Sequence, residues 1–580
     1  MNKDADPKVT GLQEKLKEYE EKFLPAAPAA AHVLFHDIHA RLDEILSTHQ
    51  SPYLHRGLRL PLILIATPEI VSLPNNMGNL ANVVSTGDGG GLADISAALV
   101  TELDRQGVNV HVALPEYQHL FEGFADISHQ DYEMLKENID DMNRVHLIED
   151  GMFTDAHRVY NDAQSGLDKI DLRRSTAFMR GIIFRLFPML RRHNKHILVH
   201  CNDWMTGLIP AAARGAGIRS LMTFHNIFTQ YQWPKGLQKH GINLDTFWQY
   251  LYFRDHPDKF GSYEANYERN DVDFMTTGLY AADFINTVSP TFLKEIVEGY
   301  FVDHHIIPDS MREIIRKRDR EHAALGILNA PALTADPRLD PMLVQKYSYG
   351  DIENEEIVGL EVGKQRNKEY FQKEVGLVVD NSVPLFFWPS RIARPQKGFE
   401  LLLDIIPYLM DKFPMQIAVV ANGEPDLIGR IQHLQYVFPG RVSHRSFTRK
   451  LNQIGKAASD FLLMPSLYEP CGIPQVEAPR YGTFPIVRRT GGLADTVDML
   501  SGNGLIGNGF LFQDFMPSGL WYAITRALSF YKRDKSFRTA VQKRIMKESF
   551  EKFNIQNTAR RYIQVYEQVF RREDPGLKII

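Results

Sequence analysis

From Leu62 onward the chain alternates short apolar runs with stretches of helical spacing. Leu62 to Ala66 reads as a strand, about Ala93 to Gln106 as a helix, and Val108 to Leu114 as the next strand, which makes a βαβ unit. Ile197 to His200, Leu221 to Phe224 and Phe284 to Val288 continue the series. Runs without polar alternation fit strands covered on both faces, so the pattern predicts a parallel, doubly wound sheet. Leu385 to Trp388, Ile417 to Val420, Phe461 to Met464 and Phe484 to Val487 predict a second Rossmann-like sheet. Between the two series lies Asp336 to Lys364, with prolines, acidic runs and little periodicity, where a domain boundary is expected. Ligands are expected at strand C-termini facing the cleft between the domains.

Residues 1–58 differ from the rest. Leu12, Leu16, Tyr19 and Phe23, then Leu34, Ile38, Leu42 and Ile45 after the Pro25 to Pro28 break, have the spacing of a helical hairpin. The expected organisation is a helical extension over 1–58, a first α/β domain over 59–345, a second over 346–555, and a final helix over 556–580.

Composition narrows the functional classes. The 580 residues carry 66 basic and 71 acidic side chains, a formal net charge of -5, so no general electrostatic grip on nucleic acid or anionic lipid is expected. Two cysteines, Cys201 and Cys471, exclude a disulfide framework and fit a reducing compartment, with the cytoplasm as the expected location. No apolar run approaches the length of a membrane span. Asp303-His304-His305 is read as a surface loop rather than a metal site.

Candidate chemistry begins at Gly87-Asp88-Gly89-Gly90-Gly91, which follows the first strand and opens a helix, so that bare backbone N–H groups at Gly90 and Gly91 can approach an anion. Glu469-Pro470-Cys471-Gly472-Ile473-Pro474-Gln475-Val476-Glu477 follows the Phe461 to Met464 strand. Its two carboxylates are eight residues apart, nearly on one face of a helix starting near Ile473, and are natural acceptors for sugar hydroxyls. Arg488-Arg489-Thr490-Gly491-Gly492-Leu493-Ala494-Asp495 comes next.

Together with Gly90-Gly91-Leu92-Ala93-Asp94, Asn202-Asp203-Trp204, Thr223-Phe224-His225-Asn226, Thr287-Val288-Ser289-Pro290-Thr291, Gly326-Ile327-Leu328-Asn329, Ser390-Arg391, Gln396-Lys397-Gly398 and Tyr481-Gly482-Thr483, these segments resemble, in order, bacterial glycogen synthases and plant starch synthases. The resemblance covers about residues 60–570 and implies a GT-B fold, with a helix near Asn557 to Phe570 crossing back to the first domain. It implies a retaining transfer of α-glucose from ADP-glucose or UDP-glucose to the non-reducing end of an α-1,4-glucan, with no metal or cofactor. Arg391 and Lys397 then neutralise the leaving diphosphate, Glu469 holds the glucose hydroxyls, and His225 sits near the 6-hydroxyl. Asp203 lines the sugar and acceptor side, and Phe447 packs on the base. Gly90, Gly91, Cys471, Gly472, Glu477, Thr490, Gly491 and Gly492 are the other candidates for donor binding. The aromatics between Tyr231 and Tyr267 are candidates either for a packed core or for guiding the acceptor.

Several positions depart from the family. Asp88 stands where Lys is usual, Met205 where His is usual, and Thr276 where Lys is usual; Ala330-Pro331-Ala332 follows Asn329, and a loop from Pro74 to Gly87 is extra. Arg391 and Lys397 are one residue farther apart than expected, making Arg394 another candidate for phosphate. Asp at the Asp88 position resembles sucrose synthases and related transferases, and the Glu469 to Glu477 spacing with Pro474 resembles the broader glycosyltransferase family 4 pattern. Two alternatives stay open: a retaining transferase with a small-sugar acceptor, and a silent homologue that binds glucan. The expected partners are a nucleotide-glucose and an α-glucan, with oligomerisation through the N-terminal helices open.

Overall fold

Two parallel sheets organise the computed structural model, which describes residues 54–580 except 56–57, 88–90, 141, 155, 157–158, 160–167, 256–261, 303–305, 333, 351–354, 572–578 and 580. Sheet one comprises β1 (Leu62–Ala66), β2 (Val110–Pro115), β3 (Val145–Ile148), β4 (Ile197–Asn202), β5 (Arg219–Phe224), β6 (Phe284–Thr287) and β7 (Ala324–Gly326). Its spatial order is β7-β6-β5-β4-β1-β2-β3, every pair parallel. Sheet two comprises β8 (Leu385–Trp388), β9 (Gln416–Val420), β10 (Val442–Arg445), β11 (Phe461–Met464), β12 (Phe484–Arg488) and β13 (Phe510–Phe512), in the order β10-β9-β8-β11-β12-β13.

Both orders reverse at the first strand, between β1 and β4 and between β8 and β11. Loops leaving neighbouring strands at such a point diverge to opposite faces of the sheet and open a crevice. The described helices that matter most are α1 (Gly91–Arg105), α2 (Pro290–Glu298), α3 (Leu360–Val375), α4 (Pro474–Arg480), α5 (Gly491–Thr496), α6 (Lys535–Lys552) and α7 (Ile555–Arg571).

The strands read from apolar runs are all present, with ends that coincide or are displaced by one or two residues. Four further strands, β3, β7, β10 and β13, are the four sheet edges. The helical residues expected between Leu12 and Ile45 lie outside the described residues. Leu54–His55 pairs antiparallel with Leu58–Arg59, so the end of the stretch expected to be helical forms a short ladder instead. Asp303, His304 and His305 also lie outside the described residues. With lobe one and lobe two denoting the parts built on sheet one and sheet two, the extra loop from Pro74 to Gly87 is no surface insertion, because Met77, Leu80, Ala81, Val83 and Val84 join the core of lobe one. Arg144 fastens it through its guanidinium, donating to the Asn76 carbonyl at 3.0 Å.

The chain closes by returning to lobe one. The face of α7 buried there carries Tyr562 and Tyr566 into the polar interior of the sheet. The Tyr566 hydroxyl lies 2.9 Å from His200 Nδ1, and His200 Nε2 lies 2.6 Å from Thr223 Oγ1. Thr223 donates to Asn286 Oδ1, and Asn286 Nδ2 donates to the Tyr562 hydroxyl at 3.2 Å. Because Thr223 spends its proton on Asn286, His200 must donate through Nε2 and accept through Nδ1, which fixes its tautomer. Burial holds the His200 pKa down to about 3, so this ring is neutral. Among the described helices, none is long and apolar enough to cross a membrane.

The lobes also meet at α2 and α5, which exchange carboxylates. Asp495 of α5 accepts from Ser289 Oγ, from Thr291 Oγ1 and, at 3.1 Å, from Thr291 N at the start of α2. Glu295 of α2 accepts from Gly491 N at 2.9 Å and Thr490 Oγ1 at 3.1 Å at the start of α5. Each helix satisfies the exposed N–H groups of the other, across the lobe boundary.

Candidate active site

Asp203 follows β4 at the first switch point and has a strained backbone, with φ 58° and ψ 179°. Its side chain makes no cap bond to the 3₁₀ turn that follows. Instead Oδ1 accepts from His225 N at 2.7 Å and from Asn226 N at 3.4 Å, tying the end of β4 to the end of β5. Burial pushes the Asp203 carboxyl up to about 7.

The same knot orients His225. Asn202 Nδ2 donates to the Ala66 carbonyl at 3.2 Å, which turns Oδ1 toward His225, and His225 Nε2 donates to it at 2.9 Å. The ring is neutral, since burial lowers its pKa to about 4, and Nδ1 is left as a buried acceptor with no partner among the described residues. An acceptor of this kind suits a hydroxyl of a bound molecule. Asn329 Oδ1 is a second buried acceptor without a partner. Asn202 and Asn329 carry more of this geometry than the sequence reading gave them, although both lie inside the motifs quoted above.

At the second switch point Arg391 and Lys397 are on the loop leaving β8, and Glu469 is on the loop leaving β11. Lys397 Nζ and Glu469 Oε2 are 2.7 Å apart, with side chains only 13% and 7% exposed. Ser466 Oγ donates to the same carboxylate oxygen at 3.1 Å. Arg391 is exposed and makes one long hydrogen bond of 3.5 Å to Gln396.

A cleft of about 770 Å³ runs between the lobes. Lobe two contributes Arg391, Phe447 and Glu477, and lobe one contributes Gly91 and Asp94. Phe447 is no core residue: it is 47% exposed, with its N–H donating to Asn422 Oδ1 at 3.0 Å. Glu477 faces the cleft while paired with Lys456. Arg449 and Asp94 approach across the cleft to 3.5 Å. The predicted residues thus form three groups: the Asp203–His225 knot, the Lys397–Glu469 pair, and the cleft wall with Gly91, Arg391, Phe447 and Glu477.

Other expectations are corrected. Glu469 and Glu477 do not share a helical face, because α4 starts at Pro474 and leaves Glu469 on the preceding loop. Thr490, Gly491 and Gly492 are buried, and their donors are used within the protein: Thr490 Oγ1 and Gly491 N by Glu295, Gly492 N by the Glu469 carbonyl at 3.0 Å. A Cβ on Gly491 would meet Glu469 O at 2.0 Å, and one on Gly492 would meet Cys471 O at 2.1 Å. These glycines let α5 support the Glu469–Cys471 loop from behind rather than touch a ligand. Arg394, a candidate for phosphate binding, already has its guanidinium paired with Glu400, Glu424 and Asp426.

Cys471 is buried, with its thiol pushed up to about 12, as expected of a packing residue; Gly472 beside it has φ 72°. Met205 and Thr276 are buried, and Thr276 Oγ1 has no partner among the described residues. Phe247, Tyr252 and Phe253 of the aromatic segment are core, while Trp233 is 51% exposed. Asp88 and Gly90 lie outside the described residues.

Comparison with known proteins bears on the family and the fold. Residues 63–306 match the starch synthase catalytic domain family, and residues 383–529 match the glycosyl transferases group 1 family. The glycogen synthase of Geobacillus thermodenitrificans (strain NG80-2) is 30% identical over 511 residues, covering 84% of this chain and 96% of that protein. The glycogen synthase of Myxococcus xanthus (strain DK1622) is 32% identical over 489 residues, covering 80% and 93%. Among solved structures, the catalytic domain of starch synthase IV from Arabidopsis thaliana bound to ADP and acarbose superposes with a TM-score of 0.65 at 21% identity, covering 88% of this chain and 99% of that one. Sucrose-phosphate synthase from Thermosynechococcus elongatus gives 0.50 at 16%, covering 88% and 100%. The fold is GT-B, and the chain is a glycosyltransferase that belongs to the glycogen and starch synthase family.

Proposed function

We propose that the protein lengthens an α-1,4-glucan by transferring glucose from ADP-glucose or UDP-glucose, with retention of the α configuration. The observation that carries this reading is the arrangement at the second switch point. Arg391, Lys397 and Glu469 are on the loops leaving the adjacent strands β8 and β11, and Arg391 lines a cleft whose opposite wall belongs to lobe one.

Breaking the bond between glucose and diphosphate builds negative charge on the leaving oxygen, and preorganised cations lower that barrier. Lys397 spends one N–H on Glu469, leaving two donors for phosphate oxygens, and Arg391 is not tied to any carboxylate among the described residues. Glu469 has lone pairs beyond the Lys397 and Ser466 bonds for the hydroxyls of glucose. On lobe one, the lone pair of His225 Nδ1 accepts the 6-hydroxyl, and the strained Asp203 fixes its position. The exposed ring of Phe447 stacks on the base, and Glu477 meets the ribose hydroxyls. The acceptor's 4-hydroxyl attacks from the face the phosphate leaves, giving its proton to the departing phosphate oxygen, and this front-face course keeps the configuration. Supporting the reading, the glycogen synthase relatives span nearly their whole length on this chain.

The test is a panel of ADP-glucose and UDP-glucose with glycogen, maltooligosaccharides and monosaccharides, following nucleotide release and chain length. Chain elongation is expected. Turnover on monosaccharides alone would replace the glucan by a small-sugar acceptor, and glucan binding without turnover on either donor would leave a binding protein.

A further inference from the structure

Lobe two has a second cavity, of about 400 Å³, at the end of sheet two opposite the cleft. It is bounded by α3, α6, the end of the helix Pro517–Tyr531, Ala458 and Asp460 just ahead of β11, and the first residues of β11 and β12. Its wall carries Lys364, Lys368, Lys535 and Arg538 against two carboxylates, Glu361 and Asp460. Both carboxylates are already occupied. Asp460 accepts from Lys368 Nζ and from Leu385 N, each at 2.8 Å, and Glu361 accepts from Lys535 at 3.0 Å and Thr539 at 2.8 Å.

Cation remains in excess. Lys364 is buried, and among the described residues its Nζ meets only neutral oxygens, those of Ala457, Ser459, Tyr481 and Thr483, at 2.9 to 3.0 Å. Burial lowers its pKa to about 7, so a nearby anion would favour its charged form. Arg538 lies 4.2 Å over the Tyr531 ring, and its Nε is buried without a partner among the described residues. Asn381 Oδ1, also on the wall, is a buried acceptor without a partner among the described residues and calls for a donor such as a hydroxyl. The volume exceeds what a bare phosphate fills, and the rings of Phe530 and Tyr531 offer flat apolar surface.

We propose that this rear cavity binds a phosphate monoester of a small hydroxylated molecule, at a site separate from the cleft. The anion lies between Lys368, Lys535 and Arg538, and the organic part meets Asn381 and the Tyr531 ring. The position gives such a ligand a short path to the donor loops. Asp460 immediately precedes β11, which leads to Glu469, and Thr483 immediately precedes β12, which leads to Arg488 and Thr490. A ligand here therefore touches the starts of the two strands whose other ends hold the donor loop and its support.

The experiment is calorimetric titration of the full chain with ribose 5-phosphate, inorganic phosphate and free ribose, on wild type, Arg538→Ala, Lys535→Ala and Lys397→Ala. Circular dichroism and a melting curve verify that each variant is folded. Ribose 5-phosphate is expected to bind one site, at least tenfold more weakly in Arg538→Ala and in Lys535→Ala, and unchanged in Lys397→Ala. Inorganic phosphate is expected to bind at least tenfold more weakly than the ester. Absence of binding, binding insensitive to both rear substitutions, binding lost in Lys397→Ala, or equal affinity for inorganic phosphate would each overturn the proposal. The readout is binding alone, so it stands or falls separately from the transferase reading.

Discussion

Lobe one and lobe two reverse their strand order at equivalent points, yet they place different chemistry there. The ends of β4 and β5 carry a neutral His225 and a carboxyl raised to about 7, locked by hydrogen bonds to backbone and to Asn202. The ends of β8 and β11 carry Arg391 and the Lys397–Glu469 ion pair. One lobe offers fixed geometry, and the other offers charge. Under the proposed reaction, which must hold a neutral sugar and neutralise a leaving diphosphate, the two lobes would divide these tasks.

The largest effect should come from removing charge in lobe two. Lys397→Ala is expected to lower kcat by about 10²–10³-fold, the size found when one preorganised stabilising group is lost. It also leaves Glu469 buried without its partner, so a stability loss of about 3 kcal/mol is expected alongside. Lys397→Ala/Glu469→Gln separates the two effects: stability should largely return while turnover stays low. Recovery of turnover in that double variant would show that the pair is structural and would remove lobe two's share of the comparison.

Asp203 tests the other half. Asp203→Ala removes the acceptor of the His225 N–H and should cost about 1–3 kcal/mol in stability, with a loss of turnover greater than any rise in KM. Asp203→Asn keeps an acceptor, so the fold should hold. Because burial raises the carboxyl from 3.8 to about 7, the native state binds more protons than the unfolded chain between those values. Stability from this group therefore falls as pH rises from about 4 to 7. Denaturant melts across that range should show the slope in wild type and a flatter one in Asp203→Asn; identical slopes would place the titration elsewhere.

How much of this was readable beforehand follows the same physics. Interior strands such as Leu385–Trp388 and Phe461–Met464 are covered on both faces and show as unbroken apolar runs, with the ends the structure gives them. The edge strands Val145–Ile148 and Val442–Arg445 contain His146 and His444, and Ala324–Gly326 and Phe510–Phe512 have only three residues, too little for any period to show. At the site, resemblance supplied the residue types, but pairings across long separations were invisible. Nothing in Thr490-Gly491-Gly492 announces that Glu295, 196 residues earlier, takes its N–H. The same holds for Asn202 turning His225.

The exchange between α2 and α5 supplies a third prediction, at the boundary where the two lobes must keep their relation. Burial raises Glu295 from 4.5 to about 7, through desolvation that the Gly491 and Thr490 bonds only partly offset. A raised acid contributes stability at low pH and loses it as pH climbs through about 7. Glu295→Gln keeps a carbonyl acceptor and removes the charge, so it should raise stability by about 1–2 kcal/mol at pH 8 and change little at pH 4. Equal effects at both values would mean that the carboxylate is stabilised by Arg488 more than burial opposes it.

The smallest effect tests whether α7 contributes to the fixed geometry of lobe one. Tyr566→Phe removes the hydroxyl whose proton His200 Nδ1 accepts at 2.9 Å, leaving a buried ring nitrogen without a partner. A loss of about 1 kcal/mol is expected from that deletion. Tyr562→Phe removes the far end of the same chain, beyond Thr223 and Asn286. If the four bonds polarise one another, the double variant should depart from the sum of the singles by about 0.5 kcal/mol or more. Thr223 lies two residues before His225, and His200 three before Asp203, so a small fall in kcat with KM unchanged should accompany the stability loss. Additive stabilities with kcat unaltered would make α7 a cover for the sheet, and the rigidity of the knot would then rest on Asn202 and the Asp203 backbone alone.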